Sequence, residues 1–542
     1  MRYFVHIIFL LFTSILVFAQ EKKLQFYRYN DETKSYTKDF ESKNLDSSLD
    51  SLQKNGYYTL TIDSIKNEKI YLNKGKNYQT IWVKNNDLFE NKNDYFPTNN
   101  LDSILNKLAK TNINEGYPFA QIKLVPNGFQ QSEQRIELLL NKGKQRTIDG
   151  VKLIEYEKLS KGYLRHGLNI KNGEIYSEQK LASISTLMQQ TNYIAEVQQP
   201  QTLFKPDSTI LYLYPKKISS NYFDGVLGFG TDDNGDFKLN GNVQLSLNNV
   251  FNSLEEIRLN WIGTANKNTS LNIGVKVPYL FKSPIGSETN FKLFKQDSVF
   301  VNVDFSERLF YQLNLNSTIG VSGMVQTSNF LLEDDSYLKS SYDDYSKTGI
   351  GLSYNYFLKH PFRLMEGKSM LDVAVNSIRK KEKNFSWTEE IDNKTVNQIE
   401  IGLKTFRLFE LTDKHYIKTG AEFRGLLTKD DDFSENELYR IGGFGSFRGF
   451  NEESITANMY GFLNVDYRFV PSEAFYIGLF ADYGFIDNKR ANLNTSLLSF
   501  GTGISFLTKM GIFNLSYAVG KTDETSFDFK ESKIHFGILS QF

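Results

Sequence analysis

DFKLNGNVQLSLN, residues 236–248, alternates apolar and polar side chains along nearly its whole length. Successive side chains of a strand point to opposite faces, so this pattern predicts a long β-strand with one apolar and one polar face. Strands of soluble sandwiches are shorter, about 5 to 6 residues. A polar face rich in Asn, Gln and Ser is typical of a water-filled barrel lumen. The two faces are Phe237, Leu239, Val243, Leu245 and Leu247 on one side, and Lys238, Asn240, Asn242, Gln244, Ser246 and Asn248 on the other.

The same alternation recurs through residues 218–542, where the helical period is absent. At roughly 20 residues for a strand and its connection, this part of the chain has room for about 16 strands. We therefore predict an all-β transmembrane antiparallel barrel over residues 218–542. The further alternating segments are Ile257/Leu259/Trp261, Leu271/Ile273/Val275/Val277, Ile350/Leu352/Tyr354/Tyr356, Leu371/Val373/Val375, Ile399/Ile401/Leu403 and Ile534/Phe536/Ile538.

Composition excludes several classes of function. The 63 basic and 63 acidic residues cancel, so no net charge favours a nucleic-acid partner. The chain has 44 Phe and 31 Tyr but no Cys, which favours strands and excludes disulfides and thiol catalysis. After residue 20 no segment is apolar enough for a spanning helix, so an integral membrane protein with this sequence would have to be a barrel.

The N-terminus has the pattern of a secretory signal. Arg2 precedes an apolar run from Val5 to Phe18, and Ala19 provides a small residue for cleavage. The alternative is an N-terminal anchor, but the run is shorter than the roughly 20 residues that a spanning helix needs. We predict that residues 1–20 are a signal peptide and that the mature chain begins near Glu21.

Between the signal and the barrel the sequence contains a repeat. Three apolar segments with helical spacing each lead through Gly-Tyr or Asn-Tyr into a predicted strand. The strand KIYLNKGK, residues 69–76, is echoed by RIELLLNKGK at 135–144 and by TILYLYPKK at 209–217. The economical interpretation is three α+β modules of ordinary domain size. Their predicted ranges are 21–75, 76–143 and 144–217.

One glycine-rich segment, RIGGFGSFRGF at residues 440–450, has the composition of a loop that passes close to other backbone. The guanidinium of Arg448 can hold a carboxylate through two parallel hydrogen bonds. Further along, FADYGFI at residues 480–486 places Asp482 within a strand pattern, and KIHFGILSQF at 533–542 has the pattern of a last strand.

Together these segments resemble the BamA/TamA outer-membrane assembly factor superfamily, also called the bacterial surface antigen family. In that family a long extracellular loop folds back into the lumen, and its arginine meets an acidic residue of the barrel wall. LNVDYRFV at 463–470 and VKVPYLFKSPIG at 275–286 are similar to a strand and a periplasmic turn of the family. The N-terminal modules resemble its polypeptide-transport-associated (POTRA) domains.

The resemblance implies three groups of site residues. The loop latch comprises Gly442, Gly443, Arg448, Gly449, Phe450 and Asp482. The barrel-wall motif comprises Phe480 and Gly484. The seam, where the first strand meets the last, and the C-terminal signal comprise Gly225, Gly228, Gly230, Phe536, Ile538 and Phe542.

One segment departs from the family pattern. Relatives commonly carry an Asp-Arg-Asp cluster followed by a Pro-Thr-Arg-Gly turn, whereas this chain has YFLKHPFRLMEGKSM at residues 356–370. The departure indicates a TamA-like member rather than the core assembly factor.

The resemblance implies a protein of the cell outer membrane, with its modules in the periplasm. The modules would capture unfolded or nascent outer-membrane or secreted polypeptides, and the barrel would insert them into the bilayer or pass them at its seam. A periplasmic or inner-membrane partner stays open. Two alternatives also stay open: a two-partner-type secretion transporter, which a lumen-plugging N-terminal helix and only two modules would favour, and a passive outer-membrane channel.

No pattern in the sequence predicts catalysis or a cofactor. The five histidines do not have the spacing of a zinc site. Gly367-Lys368-Ser369 lacks the first glycine of a phosphate-binding loop, because position 362 is Phe, and no Gly-x-Ser-x-Gly elbow occurs. We expect neither an enzyme nor a metal protein.

Overall fold

The structure is a computed structural model. It describes residues 24–57, 60–78, 80–84, 94–130, 133–191, 193–218, 220–231, 237–263, 268–297, 299–331, 343–365, 367–383, 394–429, 431–443, 446–508 and 511–539. For some of these, including 226–231, 237–240, 536, 538 and 539, only the backbone is described. None of the helices in these ranges is both long enough and apolar enough to cross a bilayer.

The N-terminal part contains two four-stranded sheets of the same topology. In each, two central strands run parallel and each edge strand pairs antiparallel with one of them, giving the orders β2-β1-β4-β3 and β6-β5-β8-β7. The strands are β1 (Leu24–Asn30), β2 (Ser35–Ser42), β3 (Thr61–Lys66), β4 (Lys69–Asn73), β5 (Ile81–Lys84), β6 (Tyr95–Thr98), β7 (Gln121–Gln130) and β8 (Glu133–Asn141).

One helix packs on each sheet, α1 (Leu45–Lys54) on the first and α2 (Leu101–Asn114) on the second. Each helix is preceded by an N-cap asparagine, Asn44 or Asn100. Its side chain accepts a hydrogen bond from a backbone N–H of the first turn, which contributes about 1 kcal/mol to a helix. Both are followed by a glycine with positive φ, Gly56 at 94° and Gly116 at 92°. Two of the three predicted helices thus end at a left-handed glycine, as the sequence predicts, and the third predicted end, Asn192, lies outside the described residues.

A third α+β segment precedes the large sheet. Its three-stranded sheet has the order β10-β13-β12, with the central β13 parallel to β10 and antiparallel to β12. The echoed sequences at 69–76, 135–144 and 209–217 thus supply the same strand of three sheets, β4, β8 and β13. The elements are β9 (Thr147–Ile148), β10 (Gly150–Leu153), a π-helix (Tyr163–Gly167), β11 (Glu174–Ile175), α3 (Glu178–Met188), β12 (Ile194–Phe204) and β13 (Thr209–Lys217), with β9 paired to β11.

The compact units of the chain divide within this segment, at residues 148/149, 172/173 and 180/181. The predicted module boundaries stay predictions.

The C-terminal part is a 16-stranded antiparallel sheet, so the predicted fold class is confirmed. Its strands are β14 (Tyr222–Thr231), β15 (Phe237–Asn248), β16 (Glu256–Gly263), β17 (Thr269–Val277), β18 (Ile285–Gln296), β19 (Phe300–Asn314), β20 (Ser317–Phe330), β21 (Asp344–Leu358), β22 (Ser369–Lys383), β23 (Thr395–Thr412), β24 (His415–Thr428), β27 (Met459–Ser472), β28 (Phe475–Asn488), β29 (Leu493–Leu507), β30 (Ile512–Thr522) and β31 (Lys533–Leu539). A separate hairpin, β25 (Tyr439–Ile441) with β26 (Ile455–Ala457), lies in the loop between β24 and β27.

The strands of this sheet have an apolar outer face. Ile350 is 71% exposed and Leu352 65%, and Leu463 and Val465 of β27 are also exposed, while Arg468 of the same strand is buried. Exposure of such an apolar band to water is unfavourable, whereas the hydrocarbon core of a bilayer accommodates it. The sheet curves around an interior, since one loop contacts strands β19 to β23 and also β27, β28 and β31.

Two ends of the barrel are distinguished below. The proximal end is where the chain passes from β13 into β14. It carries the turns that follow β15, β17, β19, β21, β23, β27 and β29. The distal end carries the remaining connections, including residues 429–458 between β24 and β27. Within the described residues, the ladder begins at β14 and ends at β31, with no hydrogen-bonded pairing between those two strands.

Candidate functional site

The distal loop at residues 429–458 folds back against the inside of the barrel. Gly442, Gly443 and Gly449 have φ of 112°, 92° and 88°, a region that side chains with a Cβ rarely adopt. A Cβ on Gly449 would lie 3.0 Å from the backbone nitrogen of Gly520, so the loop approaches the wall as closely as glycine permits.

Arg448 carries the main polar contact of this loop. Its Nε donates to Asp482 Oδ2 at 2.8 Å, and its Nη2 donates both to Asp482 Oδ1 and to Asp466 Oδ1, the latter at 2.8 Å. The guanidinium also stacks on Phe480, 3.6 Å from the ring centroid. Burial lowers the pKa of Arg448, but the hydrogen bond to Asp482 and the two carboxylate charges outweigh it and raise that pKa above its usual range.

The two carboxylates come from adjacent strands. Asp466 of β27 and Asp482 of β28 both point inward, because the register pairs Asp466 with Phe480 and Asn464 with Asp482. Asp482 is fully buried, and Asn464 Nδ2 donates to its Oδ1 at 2.8 Å. The structure therefore brings Arg448 and Asp482 together as the sequence predicts. It adds Asp466, which the sequence analysis missed although its parity along β27 marks it as inward-facing.

Aromatic side chains of the loop fill spaces that wall glycines leave. Phe447 is fully buried in an apolar cluster with Tyr460, Phe462 and other wall residues. A Cβ on Gly484 would lie 2.9 Å from the Phe447 ring, and one on Gly520 would lie 2.7 Å from the Phe450 ring. Gly484 and Phe450, both named by the sequence analysis, thus belong to one packed contact between loop and wall.

The tip of the loop reaches the last strand of the sheet. The backbone N–H of Gly449 donates to His535 Nε2 of β31 at 3.1 Å. His535 was set aside in the sequence analysis because it lies in no metal-binding pattern. Side chains alternate along β31, and this alternation places His535 on the inner face. That was the only sequence signal that could have identified it as a partner of the loop.

A second anchor, also missed from the sequence, ties the start of the loop to the opposite wall. The carboxylate of Glu437 contacts Lys347 Nζ at 2.7 Å and Lys380 Nζ at 2.8 Å, on β21 and β22. It also accepts hydrogen bonds from Gln398 Nε2 at 3.1 Å and from the Ser434 N–H at 2.8 Å. Burial raises the pKa of Glu437, but the two lysines outweigh it and hold that pKa at about 2.

Neutral hydrogen bonds surround this second anchor. Asn436 Nδ2 donates to Ser328 Oγ at 2.6 Å, and the Asn436 carbonyl accepts from Asn302 Nδ2 at 2.8 Å and from the Tyr345 hydroxyl at 3.1 Å. Residues 434–437 are therefore bonded to strands β19 to β23, while residues 447–450 are bonded to β27, β28 and β31. The loop is fixed at two places on different parts of the wall.

The predicted seam residues lie at the two ends of the strand order. Gly225, Gly228 and Gly230 are in β14, and Phe536 and Ile538 are in β31, whose backbone alone is described at those two positions. Phe542 lies outside the described residues.

A cavity of about 470 Å³ lies in the lumen on the proximal side of the Arg448 contact. Its lining combines apolar side chains such as Phe357, Phe462 and Phe480 with the charged side chains of Lys404, Lys418, Glu422, Arg448, Asp466 and Arg468. Over the described ranges, no group of three or more His, Asp or Glu side chains is placed to hold a metal ion.

The fold of this chain has a counterpart among solved structures. BamA from Haemophilus ducreyi lacking POTRA domains 1–3 is 14% identical, with a TM-score of 0.50, and the match covers 84% of this chain and 97% of that one. This chain has the fold of BamA. The fold that the resemblance implies is thereby confirmed, while the placement nearer to TamA stays a prediction.

Two CdiB proteins of solved structure are also similar to this chain. CdiB from Acinetobacter baumannii is 17% identical and covers 82% of each chain with a TM-score of 0.49. CdiB from Escherichia coli is 12% identical and covers 91% of this chain and 96% of its own, also at 0.49. No protein-family model matches the chain, and no curated protein matches it.

Proposed function

We propose that this protein is an outer-membrane factor that assembles or translocates polypeptides, with its α+β modules in the periplasm. The observation that carries the proposal is the position of the loop latch, the contact of residues 447–450 with the wall. Through Arg448 it holds β27 and β28, and through Gly449 it touches His535 of the last strand. A loop held in this way stabilises the barrel next to the edge where a client strand would be received.

Client capture is assigned to the sheet edges of the modules. In the described residues β2, β3, β6 and β7 each pair on one side only, so each presents unpaired backbone groups. On β3 the side chains of Ile62 and Ile65 are 40% and 56% exposed. An extended client can add a strand to such an edge through backbone hydrogen bonds, which leaves the choice of client sequence open.

The barrel seam between β14 and β31 is the proposed site of insertion or passage. Gly225, Gly228 and Gly230 weaken the side that β14 contributes, because glycine adds no side-chain packing to a strand. The latch has a structural role in this scheme and no chemical one. Nothing in the proposal requires catalysis or a cofactor.

Depletion of the protein, followed by comparison of the outer-membrane and surface proteomes, tests the proposal. We expect several outer-membrane or secreted proteins to fall together, and complementation with the wild-type chain to restore them. Complementation with Ile65→Lys should restore less, and Gln53→Lys, at an exposed position of helix α1 in the same module and on no sheet edge, serves as the matched control.

Two results would contradict the assembly proposal in favour of its alternatives. Loss of one secreted passenger alone, with an unchanged outer-membrane proteome, would indicate a dedicated secretion transporter. An unchanged proteome together with steady single-channel conductance of the purified protein would indicate a passive channel.

A further inference from the structure

The divergent segment between β21 and β22 does not form a simple proximal turn. Hairpin strands are commonly joined by roughly two to five residues, whereas here β21 ends at Leu358 and β22 begins at Ser369. Two side chains of this connection, Leu364 and Met365, are 1% and 2% exposed. The connection therefore buries two side chains, which a simple turn between two strands would not need to do.

The buried side chains lie against strands from a distant part of the sheet. Leu364 and Met365 form one apolar cluster with Tyr416, Val470 and Ile512. These three belong to β24, β27 and β30, at their proximal ends. Because five strands lie between β22 and β30 in the ladder order, residues 359–365 reach across part of the proximal mouth of the barrel to join this cluster.

A polar contact joins the same residues to the loop latch. Arg468 Nη1 lies 3.8 Å from the Met365 sulfur, and the guanidinium stacks on Tyr476 with 4.8 Å to the ring centroid. Arg468 Nη2 donates to Asp466 Oδ2 at 3.1 Å, and Asp466 in turn accepts from Arg448. A continuous series of contacts thus runs from the proximal mouth to the loop.

The first residue of the segment is bonded to the end of α3. Lys359 Nζ donates to the carbonyl oxygens of Thr191 at 3.1 Å and Gln189 at 3.5 Å. Carbonyl groups that follow a helix have no intrahelical partner and carry partial negative charge, which suits a lysine. A displacement of the third α+β segment would therefore pull on residues 359–365.

We propose that residues 359–365 are a plug that closes the proximal mouth of the lumen and that is released when the third α+β segment moves. The plug is held by the cluster around Leu364 and Met365, and Lys359 connects it to α3. Under this proposal the plug separates the periplasm from the cavity of about 470 Å³, because Arg468 and Tyr476 line that cavity and also contact the plug. This closure is independent of which client the protein handles.

Thiol accessibility tests the plug, because the natural chain contains no Cys. Ser505 lines the cavity and is buried, so Ser505→Cys places a single reporter thiol inside. The full chain is reconstituted in liposomes with its modules outward, and a small membrane-impermeant thiol reagent is added outside. The rate of modification reports how often the proximal mouth opens.

We expect slow modification in Ser505→Cys alone and a rise of about tenfold or more when Leu364→Ser and Met365→Ser are added. Arg363→Ser, on the exposed side of the same turn, is the matched control and should leave the rate unchanged. Lys359→Met should lower the rate below that of Ser505→Cys alone, because movement of α3 can then no longer pull the plug out of the mouth. Gel mobility before and after heating verifies that each barrel is folded.

A second plug variant, in which residues 360–366 are replaced by a short Gly-Ser turn, keeps the test decisive if the double serine variant does not fold. Fast modification of Ser505→Cys alone would overturn the proposal, because the mouth would then be open already. Slow modification in a folded plug variant would also overturn it, since another element would be closing the mouth. An unchanged rate in Lys359→Met would overturn the release by α3.

Discussion

Arg448 and Asp482 form a bidentate ion pair that joins the tip of the distal loop to the inner wall of the barrel, with Asp466 as a second acceptor. Asp482 has no exposed surface, so its charge depends on this arginine and on Asn464 for compensation. The pair is therefore sensitive to the removal of either partner.

Arg448→Ala should leave two carboxylates close together without a counter-charge. Breaking a buried pair by removing one partner costs about 3–5 kcal/mol. We expect the barrel to form, the loop to become sensitive to protease, and the temperature at which the folded band disappears on gels to fall. Arg448→Lys should recover only part of the loss, because a lysine cannot bond both Asp482 oxygens in one plane.

A double variant distinguishes the loss of a direct interaction between Arg448 and Asp482 from independent destabilisation by each substitution. If Arg448 and Asp482 act on each other, Arg448→Ala with Asp482→Ala should be less destabilised than the sum of the single variants. Additive losses would contradict a direct interaction between the two side chains.

Glu437 should make the loop sensitive to acid. Its pKa of about 2 lies below the ordinary value of 4.5, so the folded state favours the carboxylate. The stability from this group is fully present above about pH 4.5 and is lost as the pH falls towards about 2. Protease sensitivity of the loop should therefore increase over that interval in the wild type.

Glu437→Gln should remove most of this pH dependence and weaken the loop at neutral pH, since Lys347 and Lys380 lose their shared counter-charge. Glu435→Gln is the control, because Glu435 lies in the same short 3-10 helix, residues 435–437, but is only half-buried. The same acid profile in Glu437→Gln as in the wild type would show that other carboxylates produce the effect.

Gly484→Ala should weaken the contact between loop and wall. The added Cβ would lie 2.9 Å from both the Phe447 ring and the Gly461 carbonyl oxygen, and overpacking of this kind costs about 1–3 kcal/mol. Gly402→Ala is a suitable control, since an added Cβ at Gly402 meets nothing within 4 Å. Thermal unfolding of the two variants compares them, and equal melting temperatures would argue against the packing role of Gly484.

The sequence predicts the barrel well because alternation is a local signal that every strand repeats. The strand count follows from the length of the alternating region, and the Arg448–Asp482 contact follows from the resemblance. Glu437 could not be found in this way, because its partners Lys347 and Lys380 lie in strands that only the closed barrel brings near the loop. The same holds for Leu364 and Met365, whose burial depends on strands more than fifty residues away along the chain.

The contact between Gly449 and His535 gives the last prediction, on the loop and the final strand. The accepting Nε2 places the proton of the neutral ring on Nδ1. His535→Phe would leave the Gly449 N–H without an acceptor in a buried place, at a cost of about 1–3 kcal/mol. His535→Gln can still accept through its side-chain oxygen and should retain part of the bond.

Amide hydrogen exchange of residues 446–452 measures this contact directly. We expect exchange to be fastest in His535→Phe, intermediate in His535→Gln and slowest in the wild type, with exchange around Glu437 unchanged in all three. The distinction arises because the two anchors bond different strands, so the loss of one exposes its own backbone groups first. Equal acceleration at both anchors would instead indicate that the loop is released as one unit.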